Sequence, residues 1–253
     1  MEGRNKMEEF KGIPLIEIPK NIPSYNFLEG DFGKEVLNEY NFAVKSEYKD
    51  NSNLKVLNFK DGIVKNSNSY AIFLMNKILS KQGLRTVSPA DVQKVIDNDD
   101  NFLRGAYVDL GVVLRNEDGA NGYLAKQLAK QSKDRKYKFS NSNPLVFKPS
   151  DLELIADSDS PSGLGFSIKD SANLFNALEL SSKNEGKKFK NTNKNGVPIF
   201  DKNGNRTNYT TDNGLSRFVL DGGSFLDSRS DYLAGSSDFG RVVVMNDALG
   251  EKK

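Results

Sequence analysis

The side chains that most often carry out chemistry near neutral pH are missing from this chain. The 253 residues include no cysteine and no histidine. Thiolate nucleophiles, zinc sites built from Cys or His and catalytic triads with a histidine base are therefore excluded. An enzyme would have to use carboxylates, Lys, Arg, Tyr, Ser or Thr, or a hard metal bound through oxygen. The leading hypothesis is therefore a non-catalytic binding or interaction protein that needs no cofactor.

One segment carries oxygen-bearing side chains at the spacing of a calcium-binding loop. At positions 1, 3, 5, 7 and 12 of residues 201–212 the sequence has Asp201, Asn203, Asn205, Thr207 and Asp212. The usual loop has Gly at position 6 and Glu at position 12. Here position 6 is Arg206 and the last ligand is the shorter Asp212. An ordinary turn around Asn203-Gly204 is therefore the alternative to a metal site.

The most basic stretch runs from Asn121 to Lys148 and is the best candidate for a nucleic-acid interface. Its candidate contact residues are Lys126, Lys130, Lys133, Arg135, Lys136, Tyr137 and Lys138. Basic groups neutralise phosphates and aromatic rings stack on bases, so RNA or DNA is a possible partner. The net charge is only +2, however, and a dedicated nucleic-acid-binding protein is usually more basic. The alternative is a solvated helix face that continues into a linker.

Aspartates beside serines provide a third hypothesis, a carboxylate- or metal-dependent hydrolase. These acids are Asp157, Asp159, Asp227, Asp231 and Asp238. Paired carboxylates can transfer protons or hold a divalent cation, but only if the fold brings them together. Solvated turns are the alternative. Arg217, Arg229 and Arg241 lie in the same region and either pair with these acids or bind an anionic ligand.

Helical spacing of apolar residues predicts three helices in the first half of the chain. The first spans Ser69–Gln82, with one apolar face, and Gly83 is placed to end it. The second begins at Ser88-Pro89-Ala90-Asp91, which supplies an N-cap, a proline at the first helical position and an acid in the first turn. The third spans Ala120–Lys133. A further helix is predicted over Ala172–Leu180.

Strand patterns are denser after residue 140. Ala106–Arg115 is predicted to be a central strand, and Asp61-Gly62 is the turn of a hairpin. Asn195-Gly196 and Asn203-Gly204 are predicted turns at the two ends of one strand. The sequence therefore predicts an α+β protein, with a mixed sheet, about three helices in the N-terminal half and a β-rich C-terminal half. The division is placed at 1–140 and 141–253, and one continuous domain is the alternative.

The first residues and the hydropathy of the chain bear on location. Residues 12–23 contain three prolines, which favours an edge strand or an extended arm. No apolar run approaches the length of a membrane span, and residues 1–11 lack the apolar core of a signal peptide. The sequence therefore predicts a cytoplasmic protein without a membrane partner. A protein partner or a homo-oligomer remains open.

Several phrases resemble a set of archaeal proteins to which no activity is assigned. They are LRTVSPADV (84–92), RGAYVDLGVVLR (104–115), SPSGLGFSIKD (160–170), GLSRFVLD (214–221) and GRVVV (240–244). The resemblance implies a cytoplasmic archaeal protein and favours treating both halves as one unit. It assigns no functional residue.

Overall fold

The structure is a computed structural model that describes residues 25–246 and the backbone of two short paired strands, Glu9–Phe10 (β1) and Ile13–Pro14 (β2). The rest of the predicted arm at residues 12–23 lies outside the described residues. The fold is α+β, with helices mainly in the N-terminal half and strands dominating the C-terminal half. This confirms the predicted fold class.

The described residues form four α-helices rather than the three predicted in the first half of the chain. They are Gly30–Glu47 (α1), Ser69–Ser80 (α2), Pro89–Asn98 (α3) and Gly122–Asp134 (α4). The helix that was not predicted, α1, buries Val36, Tyr40 and Val44 at helical spacing. Helix α2 is buried around most of its circumference and not on one face only.

The strands that follow in the chain are short, and most belong to one large sheet. They are Tyr25–Phe27 (β3), Asn58–Lys60 (β4), Ile63–Lys65 (β5), Arg85–Thr86 (β6), Tyr107–Leu114 (β7), Leu145–Phe147 (β8), Leu152–Ala156 (β9), Leu164–Ile168 (β10), Phe175–Asn176 (β11), Lys188–Thr192 (β12), Pro198–Phe200 (β13), Arg206–Tyr209 (β14), Leu215–Asp221 (β15), Phe225–Asp227 (β16), Gly240–Arg241 (β17) and Val243–Met245 (β18). The main sheet has the order β13-β12-β14-β16-β15-β7-β17-β5-β4, and β8 and β11 extend it beside β7.

The predicted helix at Ala172–Leu180 is wrong. The segment contains β11 and a single 3₁₀ turn at Leu178–Leu180 instead. Phe175 and Asn176 pair with β8, and the Ala177 amide donates to the Pro144 carbonyl at 2.9 Å. Pairing with a neighbouring strand therefore satisfies backbone groups that a helix would have used internally.

Strand β7 is the centre of the large sheet. One edge of β7 pairs with β15 along its whole length, and the other edge pairs with β17 at its start and β8 at its end. Strands from both sides of residue 141 therefore pair directly with each other. The apolar side chains of β7 enter two core clusters, one containing Val112 and the helices α1, α2 and α4, the other containing Val108 and α3.

A buried ion pair joins the two central strands. Arg217 of β15 donates from Nη2 and Nε to Oδ1 of Asp109 of β7, at 2.7 and 3.1 Å. The other carboxylate oxygen accepts a hydrogen bond from Ser67 Oγ at 2.9 Å, two residues before α2 begins. Asp109 is fully buried and Arg217 nearly so. The pair thus connects β7, β15 and the start of α2.

Replacing Asp109 with Asn should lower the free energy of unfolding by about 3–5 kcal/mol, because Arg217 is left as a buried cation without a counterion. Urea denaturation at pH 7 measures the change. The exposed pair of Asp31 and Lys34 provides the control, since Asp31→Asn should have little effect. Similar losses in the two variants would contradict the central role of the buried pair.

The predicted start of α3 is confirmed. Asp91 accepts hydrogen bonds from the backbone amide and the hydroxyl of Ser88, at 2.9 and 2.6 Å, and forms an ion pair with Arg85. Burial raises the pKa of Asp91, but the hydrogen bonds from Arg85 and Ser88 and the charge of Arg85 outweigh it, so the pKa is lowered overall. The charged carboxylate is therefore the form that stabilises the fold.

A lowered pKa in the folded state means that Asp91 adds stability above its unfolded pKa of about 3.9, and that this contribution is lost as the pH falls through the folded value. Asp91→Asn should therefore unfold at lower urea than the parent at pH 7, with the difference shrinking below about pH 4. Asp170→Asn, at a fully exposed carboxylate, is the control. A difference that does not depend on pH would contradict the prediction.

Candidate functional site

A polar cleft of about 350 Å³ lies between α3, strand β12, the start of β14 and the β15–β16 turn. The charged residues that line it are Asp97, Asp100, Lys190 and Arg206. Gln93 lines the same cleft and contributes an amide. The glycines of the β15–β16 turn, Gly222 and Gly223, complete its rim.

Two Asn-Gly turns shape the hairpin that forms one wall of the cleft. Both predicted turns are confirmed, since the amides of Gly196 and Gly204 close turns at either end of β13. Gly196 has φ +78°, and a Cβ there would lie 1.9 Å from the Pro89 carbonyl oxygen of α3. Only glycine therefore lets the hairpin pack so closely against the start of α3.

The amide of Gln93 links an acid to a cation inside the cleft. Its Oε1 accepts hydrogen bonds from the Thr192 backbone amide at 3.0 Å and from Arg206 Nη2 at 2.6 Å. Its Nε2 donates to Asp97 Oδ1 at 2.7 Å. Because the Thr192 amide can only donate, the orientation of the Gln93 amide is determined.

Arg206 is the least satisfied group in the cleft. It is 4% exposed, and its guanidinium lies over the Phe189 ring at 4.7 Å. Nη2 also donates to the Lys190 carbonyl, but Nη1 is buried and has no hydrogen-bond partner among the described residues. Burial lowers the pKa of Arg206, and the charge of Asp97 opposes that change.

A second buried arginine shows what full hydrogen bonding looks like in this fold. Arg115 is completely buried and donates to the hydroxyls of Ser216, Thr210 and Ser228 at 2.7, 2.9 and 2.8 Å. It also donates to the Leu180 carbonyl at 3.0 Å. Burial lowers its pKa to about 10, so the group is still charged at pH 7. Hydroxyl oxygens accept hydrogen bonds from Arg115, and the Asp109 carboxylate accepts them from Arg217. Nη1 of Arg206 has no acceptor of either kind among the described residues.

The predicted nucleic-acid residues lie on α4 and in the segment that follows it. Lys133 is paired with Glu117, and Arg135 with Asp170. Four others are exposed and form no ion pair within residues 25–246, namely Lys126, Lys130, Lys136 and Lys138. Tyr137 and the neighbouring Phe139 are half-buried and pack against the core, so much of each ring is covered.

The five oxygen ligands predicted at residues 201–212 lie in a turn that begins at Asp201, in strand β14 and in the segment that follows it. Residues 206–209, which include Thr207, form the extended strand β14. Thr207 Oγ1 accepts a hydrogen bond from Lys188 Nζ at 2.7 Å, and the Asp201 carboxylate accepts one from the backbone amide of Asn203 at 2.9 Å.

The serine-flanked aspartates contact separate partners. Asp157 accepts from Tyr123 and Gln127, Asp227 from Arg229, and Asp238 from Lys60. Across the part of the chain that the structure describes, no three acids come together as metal ligands would.

Gln93 and Arg206 were not identified as site residues from the sequence. They are 113 residues apart, and neither belongs to a recognisable motif. In the sequence Arg206 stands out only because it occupies the position at which a calcium-binding loop has glycine, and this counts against a calcium site without indicating any other role.

Comparison of the chain with protein families, curated proteins and solved structures found no match. None of the described helices is long and apolar enough to span a membrane.

Proposed function

We propose that this chain is a non-catalytic binding protein that holds a small ligand with carboxylate or phosphate oxygens in the cleft beside α3. The observation that carries the proposal is the buried Nη1 of Arg206, which has no partner among the described residues. The absence of His and Cys from the sequence makes binding a better hypothesis than most kinds of catalysis.

Burying a hydrogen-bond donor without an acceptor destabilises the folded state. An unsatisfied buried polar group costs about 1–3 kcal/mol, and more if it is charged. Nη1 has almost no accessible surface, so the guanidinium must shift slightly for a ligand oxygen in the cleft to accept from it. Such a contact would remove that cost and would form a charge-assisted hydrogen bond. The cleft volume of about 350 Å³ is in the range of small-molecule sites.

The test is the midpoint of thermal unfolding with inorganic phosphate, acetate and the common amino acids as separate probes. At least one probe should stabilise the parent protein, by about 2.7 kcal/mol at a concentration near 100 Kd. Arg206→Met should abolish the shift and Arg206→Lys should reduce it, because a lysine cannot reproduce the planar fork. Arg229→Met is the matched control, since Arg229 lies outside the cleft.

Two outcomes would overturn the proposal. One is that no probe raises the midpoint of the parent protein. The other is that a probe raises the midpoints of the parent and of Arg206→Met equally.

The basic stretch supports RNA or DNA binding as a second candidate. The observation that favours it is the set of exposed lysines on and after α4 that no acid neutralises within the described residues. Lys126 also borders an open groove of about 780 Å³ beside Asn116 and Asn141.

Binding of single-stranded RNA or DNA oligonucleotides, followed by fluorescence anisotropy across a salt series, tests this candidate. The triple change of Lys126, Lys130 and Lys136 to Glu should weaken binding and lower the salt slope by about 0.7 for each phosphate that the protein no longer neutralises. Glutamates at the exposed Lys183, Lys194 and Lys202 change the net charge equally and serve as the control. If the two triple variants weaken binding equally, binding depends on the net charge alone and the basic stretch is not a specific interface.

A further inference from the structure

We infer that the ligand of the α3 cleft is a zwitterion of the size of a free amino acid, with its carboxylate at Arg206 and its ammonium group at Asp97. This inference rests on the proposed binding function and specifies the chemical class of the ligand.

The charges that line the cleft have opposite signs on its two walls. Helix α3 contributes Asp97, with Asp100 just beyond its end, and the strand side contributes Lys190 and Arg206. A simple anion would approach two carboxylates, and a simple cation would approach two basic side chains. Asp97, Asp100 and Lys190 are exposed and only Arg206 is buried. A ligand that carries both charges can meet an opposite charge on each wall and supplies a counterion to the buried guanidinium.

The Gln93 amide sets the spacing of the two charges. Asp97 Oδ1 lies 2.7 Å from its nitrogen, and Arg206 Nη2 lies 2.6 Å from its oxygen. The acid and the cation are therefore separated by a single amide group. The ammonium and carboxylate groups of an α-amino acid are separated by a single carbon, which is a comparable spacing of opposite charges.

The helix and the cleft volume agree with this orientation. Ile96 and Asp97 are in the last turn of α3, where the partial negative charge of the helix C-terminus favours a cation. The volume of about 350 Å³ is near the lower end of the range for ligand sites, which suits one amino acid or a dipeptide. Ile96 also lines the cleft and offers an apolar contact for a side chain or backbone carbons.

Isothermal titration of the full chain with the common L-amino acids identifies the best probe. That probe is then compared with its deaminated acid, which lacks the ammonium group, and its amide, which lacks the carboxylate; for L-leucine these are 4-methylpentanoate and L-leucinamide. Both derivatives should bind at least tenfold more weakly than the amino acid. Asp97→Asn should weaken the amino acid at least tenfold and leave the deaminated acid unchanged or tighter, whereas Asp201→Asn, outside the cleft, should change neither.

The possible results distinguish failure of this inference from failure of the proposed binding function. If acetate, phosphate or the deaminated acid binds through Arg206 as tightly as any amino acid, the ligand need not be a zwitterion and this inference is wrong. The proposed binding of carboxylate or phosphate oxygens is then still supported. If an amino acid binds but Asp97→Asn has no effect, the assignment of the ammonium group is wrong. If none of the probes binds, the proposed function fails and this inference fails with it.

Discussion

The ion pair between Asp109 and Arg217 is the constraint on which the rest of the fold depends. A fully buried carboxylate is tolerated only when a cation and hydrogen bonds satisfy it, and here both come from separate elements. A shift of β15 by one residue would turn Arg217 to the opposite face of the sheet and leave Asp109 unpaired. The pair therefore determines the register of the two central strands and, through Ser67, the position at which α2 begins.

Among residues 25–246 the fold buries three guanidinium groups and satisfies them to different extents. Arg217 has a carboxylate and belongs to the framework of the sheet. Arg115 has three hydroxyls and a carbonyl, and it ties the ends of several strands together. Arg206 has an amide oxygen, a carbonyl and an aromatic face, and one nitrogen remains without a partner within the described residues. Burial is common to all three, so the nitrogen without a partner is the feature that sets Arg206 apart, and the binding proposal rests on it.

Local chemistry made part of this structure predictable. The cap before α3 and the two Asn-Gly turns were predictable because each depends on a few neighbouring residues. Strands β12 and β14 have polar sequences, KFKNT and RTNY, which do not predict strands by themselves, and their strand character comes from their partners in the sheet. The candidate site could not be predicted from the sequence for the same reason, because its contacts join residues that are far apart in the chain. Nothing in the sequence around Gln93 indicates contact with Arg206, and the local pattern that predicts a helix at residues 172–180 does not reveal the pairing of Phe175 and Asn176 with β8.

The closeness of the β12–β13 hairpin to α3 has a consequence for synthesis of the chain. Helix α3 leaves the ribosome about a hundred residues before β12, and at about 5–20 residues per second this interval lasts several seconds. During that time Gln93 and Asp97 face water, and the cleft has only one wall. The second wall arrives when Gly196 lets the hairpin dock on Pro89. The proposed ligand site would therefore be completed late in synthesis, because its second wall is made long after its first.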